Sequence, residues 1–153
     1  MPERIEVTVG LPTPDDTSAL GARLATILQP GDIVALKGHL GAGKTSLCRG
    51  LISALIGPET EVPSPTYTLV QTYDTPIGEV WHMDLYRLKE PDEALELGIE
   101  DAFVDAICLI EWPERLDAFL PAQHLDVTLE TVGSGRRAIL RGGPEWEQRL
   151  RDL

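Results

Sequence analysis

The sequence predicts an α/β fold of three layers, with helices on both faces of a mixed sheet. Three observations predict it. The apolar run Ile33-Val34-Ala35-Leu36 leads into the glycine loop Gly38-His39-Leu40-Gly41-Ala42-Gly43-Lys44-Thr45, and a helical apolar pattern follows. A second apolar run, Ala106 to Ile110, ends on Glu111. Two turn signals, Thr75-Pro76-Ile77-Gly78 and Val132-Gly133-Ser134-Gly135, each stand between candidate strands. Buried strands alternating with helices give the layers, and hairpins add antiparallel strands.

Each element has a local reason. Ile5, Val7 and Val9 alternate with polar residues and predict an edge strand. Thr13-Pro14-Asp15-Asp16 starts a helix: Thr13 caps, Pro14 enters the first turn, and an acid follows three residues after the cap. Leu20, Leu24, Ile27 and Leu28 carry its inner face. Pro30-Gly31-Asp32 turns the chain into the strand over 33–36. Leu47, Leu51, Ala54 and Leu55 recur at helical spacing until Gly57-Pro58 stops them. Pro63 and Pro65 exclude helix, so a strand is expected from Tyr67 to Tyr73 and a second from Glu79 to Met83. One or two short helices are expected within 91–104. The strand ending at Glu111 follows, then strands from Leu125 to Thr131 and Arg136 to Leu140, then a helix from Pro144 to Leu150.

At 153 residues the chain is expected to form a single domain, residues 1–153, with a full core. No apolar stretch approaches a membrane span, and the opening residues lack a signal peptide's apolar segment. Cys48 and Cys108 sit in predicted apolar elements, as core thiols would. These features point to a cytoplasmic protein. The net charge of −12 argues against a surface built to bind nucleic acid throughout. Glu90 to Asp117 holds ten acids and one base, whereas five arginines follow from Arg136 onward. The two clusters are either plain solvated surface or two faces for different partners.

The glycine loop fits the phosphate-cradling pattern G-x-x-x-x-G-K-[ST] at every fixed position. Glycines let the backbone curl around an anion, the curled loop aims N–H groups inward, and the next helix adds its positive end. Leu40, Gly41, Ala42, Gly43, Lys44, Thr45 and Ser46 are therefore the candidate nucleotide contacts. Lys44 is placed to meet the outer phosphates, and Thr45 to offer its hydroxyl to Mg²⁺.

Hydrolysis needs more: a metal partner and a group to orient water. Asp84 and Glu111 each end a predicted strand, where open α/β sheets bind ligands. Glu111 is the candidate metal-linked acid. Asp84 is a candidate catalytic acid, as metal ligand, support for one, or water positioner. Thr66, in the proline-stiffened loop, is either a hydroxyl that senses the terminal phosphate or a plain strand-start threonine. His82 shares a strand face with Asp84 and either orients the acid or fills a polar core position. His39 is expected at the surface, and Trp81 and Trp112 in packing. The chain has no asparagine, so the Asn-Lys-x-Asp segment that reads guanine is excluded and adenine is the expected base.

GHLGAGKTS, SPTYTLV (Ser64 to Val70), HMDLYRL (His82 to Leu88), ELGIED (Glu96 to Asp101) and CLIEWPER (Cys108 to Arg115) together resemble the TsaE family. The resemblance runs from about Pro14 to Arg137. It implies a three-layer P-loop NTPase fold with a mixed central sheet and inserted antiparallel strands. It implies an ATPase of tRNA threonylcarbamoyladenosine synthesis, weak alone, using ATP and Mg²⁺. It also implies association with the TsaB–TsaD complex, with tRNA reached through that complex. Position by position, Lys44 and Thr45 serve phosphate and metal, Glu111 is the metal-linked acid, Asp84 the catalytic acid and Thr66 the switch hydroxyl. The family's adenine contact falls near Asp15 or Asp16. His39 departs from the aspartate common in the family. Two other readings of the loop remain: a small-molecule kinase, for which only Arg87 and Arg115 between Leu85 and His124 offer lid arginines, and a non-catalytic nucleotide-dependent binding module.

Overall fold

The structure is a computed structural model that describes residues 4–39, 41–58, 61–63, 65 and 69–153. Its elements run β1 (Ile5–Leu11), α1 (Pro14–Ala25), β2 (Ile33–Lys37), α2 (Lys44–Ile56), β3 (Val70–Thr75) and β4 (Gly78–Asp84). They continue with α3 (Asp92–Leu95), α4 (Ile99–Asp105), β5 (Ile107–Glu111), β6 (Leu125–Val132), β7 (Gly135–Gly142) and α5 (Glu147–Arg151). Short 3-10 turns fill Pro113–Phe119 and Pro144–Trp146. The strands form one sheet of seven in the order β1-β7-β6-β2-β5-β4-β3. The centre is parallel: β6, β2, β5 and β4 run the same way. Antiparallel strands flank it, β7 and β1 on one side and β3 on the other.

The two-residue period of each strand sorts its side chains between the faces. Val34, Leu36, Val80, Ile107 and Leu109 pack with α1 and α2 in one core cluster. Ile33, Met83, Cys108 and Ile110 pack with α3 and α4 in another. These are the three expected layers. Both cysteines are buried and free, as expected of core thiols.

Local rules explain the ends. Thr13 caps α1 with the reciprocal box its spacing predicts, the Asp16 carboxylate accepting from the Thr13 backbone and hydroxyl at 2.9 and 2.8 Å. The backbones of α1 and α2 touch where glycines allow it. A Cβ on Gly21 would overlap the Leu47 carbonyl, and one on Gly50 the Ser18 carbonyl. The strand expected from Tyr67 begins at Val70 within the described residues; positions 66–68 lie outside them. Among the described residues no helix is long and apolar enough to cross a membrane.

Candidate functional site

The glycine loop joins the end of β2 to the start of α2. Gly38, Gly41 and Gly43 have φ of 144, 81 and 105°, values that side chains disfavour. Gly43 is the N-cap of α2, and no side chain among the described residues caps it. The first N–H groups of the 13-residue helix are therefore left for an anion. The Lys44 ammonium donates to the Gly38 carbonyl at 2.6 Å and lies 3.6 Å from the centroid of the Trp112 ring. The residue is only 4% exposed. Burial pulls its pKa below the ordinary lysine value, while Glu111, Glu114 and Asp84 pull the other way. A cation so poorly hydrated gains by meeting phosphate oxygens.

Sheet register brings the acids to the loop. Glu111 stands opposite Leu36 on one side and Asp84 on the other, so three parallel strand ends converge. Alternation then puts Val80, His82 and Asp84 on the face of α2, with Ile107, Leu109 and Glu111. The Thr45 hydroxyl donates to the two Glu111 oxygens at 2.9 and 3.1 Å. His82 Nε2 lies 2.7 Å from Glu111 Oε2. A carboxylate only accepts, so the imidazole donates from Nε2. Its other nitrogen, Nδ1, is buried without a hydrogen-bond partner among the described residues. Cys48 faces this pair, all three ligand atoms lying within 4.8 Å of one another. Burial pushes the Cys48 pKa well up, with Glu111 and Asp84 adding to it, which keeps the group a thiol.

Asp84 is anchored through its backbone, whose N–H donates to the Leu69 carbonyl at 3.0 Å, while Oδ1 accepts from the Tyr86 N–H at 3.0 Å. Leu69 (φ 67°) in turn donates to the Pro65 carbonyl at 2.7 Å, which ties the loop before β3 to this acid. Thr66 itself, like Leu40, lies outside the described residues.

A cavity of about 320 Å³ opens over these groups, walled by the loop and first turn of α2, including Ser46, by Asp84, Glu111 and Trp112, and by Arg136. A more apolar cavity of about 410 Å³ adjoins it, between the end of β1 and the β6–β7 hairpin, and shares Arg136. Ala42 is fully buried and donates to the His39 carbonyl at 3.1 Å, holding the loop's shape. His39 is exposed, as expected, with Nε2 3.0 Å from the Thr131 hydroxyl. The Asp16 carboxylate is engaged in the capping box of α1.

Two residues have positions that sequence reasoning did not give them. Trp112 is expected in packing, yet it turns at φ 61° directly after Glu111 and lays its ring on Lys44. Arg136 is expected either on plain solvated surface or in a partner-facing basic cluster, but the arginines scatter: Arg137 pairs with Glu130, Arg141 with Glu6 and Arg151 with Glu147, while Arg136 lines the cavity. The signal for Trp112 was its place beside the acid. Arg136 had none short of the strand order.

The sequence model of the family described as "Threonylcarbamoyl adenosine biosynthesis protein TsaE" matches residues 11–139. The chain belongs to the TsaE family. Proteins named tRNA threonylcarbamoyladenosine biosynthesis protein TsaE are similar to it over most of their length. The one from Rickettsia bellii is 42% identical over 123 residues, 80% of this chain and 85% of the relative. That from Haemophilus influenzae is 42% identical over 135 residues, 83% of this chain and 85% of the relative. That from Bacillus subtilis is 35% identical over 127 residues, 82% of this chain and 78% of the relative. The crystal structure of YdiB from Bacillus subtilis superposes with a TM-score of 0.78 at 25% identity, covering 99% of this chain and 94% of that one. The α/β fold with a mixed central sheet, expected from the TsaE resemblance, is the fold observed.

Proposed function

We propose that this TsaE-family chain binds and hydrolyses ATP, and that it does so for tRNA threonylcarbamoyladenosine modification in company with the TsaB–TsaD complex. The observation that carries the ATPase reading is the direct hydrogen bond from Thr45 to Glu111 beside the buried Lys44. A hydroxyl and a carboxylate at the mouth of a phosphate loop are the hard oxygen donors that Mg²⁺ takes. Thr45 and Glu111 would hold it, and the ion would offset phosphate charge when bound. The chain's own groups account for the rest. The loop N–H groups and the start of α2 receive the phosphates. Lys44 exchanges a neutral carbonyl for a charged oxygen, a stronger partner. Asp84, which lines the same cavity as Glu111, would orient water. The adjoining apolar cavity has room for adenine. His82 fixes the Glu111 carboxylate toward Thr45.

The family comparison supports the pathway, and the resemblance supports the partners. Phosphate release from ATP, with and without Mg²⁺ and with and without TsaB–TsaD, tests both. Low basal release that rises with the partners is expected. Equal rates with and without them would remove the partnership and leave the ATP site. Glu111→Gln should fold and lose Mg²⁺-dependent turnover; a Mg²⁺ titration overlaying the parent's would remove Glu111 from the metal.

A further inference from the structure

Cys48, His82 and Glu111 form a cluster whose full donor set the phosphate chemistry does not use. Cys48 follows Thr45 by one turn of α2, so thiol and hydroxyl share a helix face. His82 and Glu111 lie under that face on the neighbouring parallel strands β4 and β5. A ring nitrogen of His82, the Cys48 Sγ and a Glu111 oxygen all lie within 4.8 Å of one another. Cys48 and His82 are fully buried, and Glu111 nearly so. Ring nitrogens at such depth are ordinarily hydrogen-bonded. Nε2 of His82 has Glu111, but Nδ1 has no partner among the described residues. Holding Glu111 requires one nitrogen and no thiol.

Sulfur, imidazole nitrogen and carboxylate oxygen together are the donors of a tetrahedral zinc-type site. Bonds of about 2.0–2.3 Å put such ligands about 3.3–3.6 Å apart, so side-chain shifts of about 1 Å suffice here. Mg²⁺ takes oxygen and leaves sulfur aside. We propose that Cys48, His82 and Glu111 form a second, soft cation site, for Zn²⁺ or a similar thiophilic dication, whose filling excludes Mg²⁺ from Thr45 and Glu111. The metal replaces the thiol proton, which leaves to solvent. The imidazole binds through one nitrogen and keeps its proton on the other. Water completes the set from the cavity that Glu111 lines. Glu111 Oε2 already serves both Thr45 and His82, so a cation beside Cys48 draws the carboxylate off the hydroxyl. Two dications sharing one carboxylate also repel with roughly four times the energy of two unit charges. This exclusion, though not the site itself, rests on the Mg²⁺ reading above.

The test titrates nucleotide-free, tag-free protein with Co²⁺, whose bond to a thiolate gives a charge-transfer band that oxygen ligands do not. The parent should show the band, saturating at one equivalent. Cys108→Ala should keep it, and since the chain has two cysteines, a band there can come only from Cys48. That variant carries the test if substitutions at Cys48 fold poorly. Cys48→Ala and Cys48→Ser should lose the band. A parent without it, or a band that survives substitution of Cys48 or disappears in Cys108→Ala, would overturn the site. Zn²⁺ should inhibit Mg²⁺-dependent ATP turnover in the parent and in Cys108→Ala, and at least about tenfold less potently in Cys48→Ala. Equal inhibition of all three would overturn the exclusion. A parent that shows the band but no turnover with Mg²⁺ alone would overturn the ATPase reading and leave the soft site standing.

Discussion

Replacing His82 by leucine removes the imidazole that holds Glu111. His82 is fully buried and Glu111 is 2% exposed, so bulk water does not step into the lost donor's place. A hydrogen bond to a charged group contributes about 1.5–3 kcal/mol. Part of that loss is offset. His82 Nδ1 has no partner among the described residues, and removing a buried unsatisfied nitrogen returns about 1 kcal/mol. The net destabilisation is about 0.5–2 kcal/mol, which in a domain of this size lowers Tm by about 1–8 °C. His82→Gln should recover much of it, because the amide nitrogen of glutamine reaches about as far as Nε2. Turnover should need more Mg²⁺ in the leucine variant, since the carboxylate is less fixed. Thermal unfolding followed by circular dichroism in Mg²⁺-free buffer, with a Mg²⁺ titration of phosphate release, reads both. A leucine variant that melts at or above the parent temperature would refute the claim that His82 holds Glu111.

Lys44→Ala should weaken ATP binding about ten- to hundred-fold, the worth of one charge-assisted contact, and abolish turnover; unchanged affinity in calorimetry would exclude the role given to the loop. Gly50→Ala should cost about 3 kcal/mol, or about 6–12 °C in Tm, because its new Cβ meets the Ser18 backbone rather than a side chain that can turn away; a parent-like melt would show that α1 shifts freely. His124 and Asp126 form a partly buried pair with Lys37 alongside. The bond to Asp126 raises the His124 pKa, and Asp126, though burial opposes it, is drawn down to about 2 by His124 and Lys37. The histidine's contribution is complete below its unfolded value of about 6.5 and fades as pH rises through the raised folded one, while the aspartate's is lost only as pH falls from about 4 toward 2. His124→Ala should therefore cost more stability at about pH 5.5 than at about pH 8.5, measured by urea midpoints; equal costs would refute the coupling.

What was legible in the sequence was what local chemistry decides. The box at Thr13, the glycine loop and both turns appear where their residues demand them, because caps and tight turns depend on a few neighbours. Asp84 and Glu111 were legible as site candidates because a carboxylate closing a buried strand is conspicuous. That Glu111 would bond both Thr45 and His82 was not legible, because it depends on the parallel register of β4, β5 and β2. The 3-10 turns over Pro113–Phe119 carry no apolar period long enough to announce them. Arg136 read as surface charge because only the strand order sets β7 beside the loop.

The order in which the strands join has a consequence for the newborn chain. Among the described residues β1 is hydrogen-bonded only to β7, and Glu6 meets its partner Arg141 across 135 residues of sequence. β1, the earliest of the seven strands in the sequence, therefore has to wait for β7 before it can pair, since distant pairings need the loop between them to close. Leu11, at the end of β1, sits in register with Arg136. A ribosome-bound fragment that stops short of β7 holds the whole glycine loop and both acids yet lacks the guanidinium beside them. The wall of the cavity that Arg136 lines is complete only once β7 has joined the sheet, and any ligand that bound the finished cavity would favour that closed arrangement.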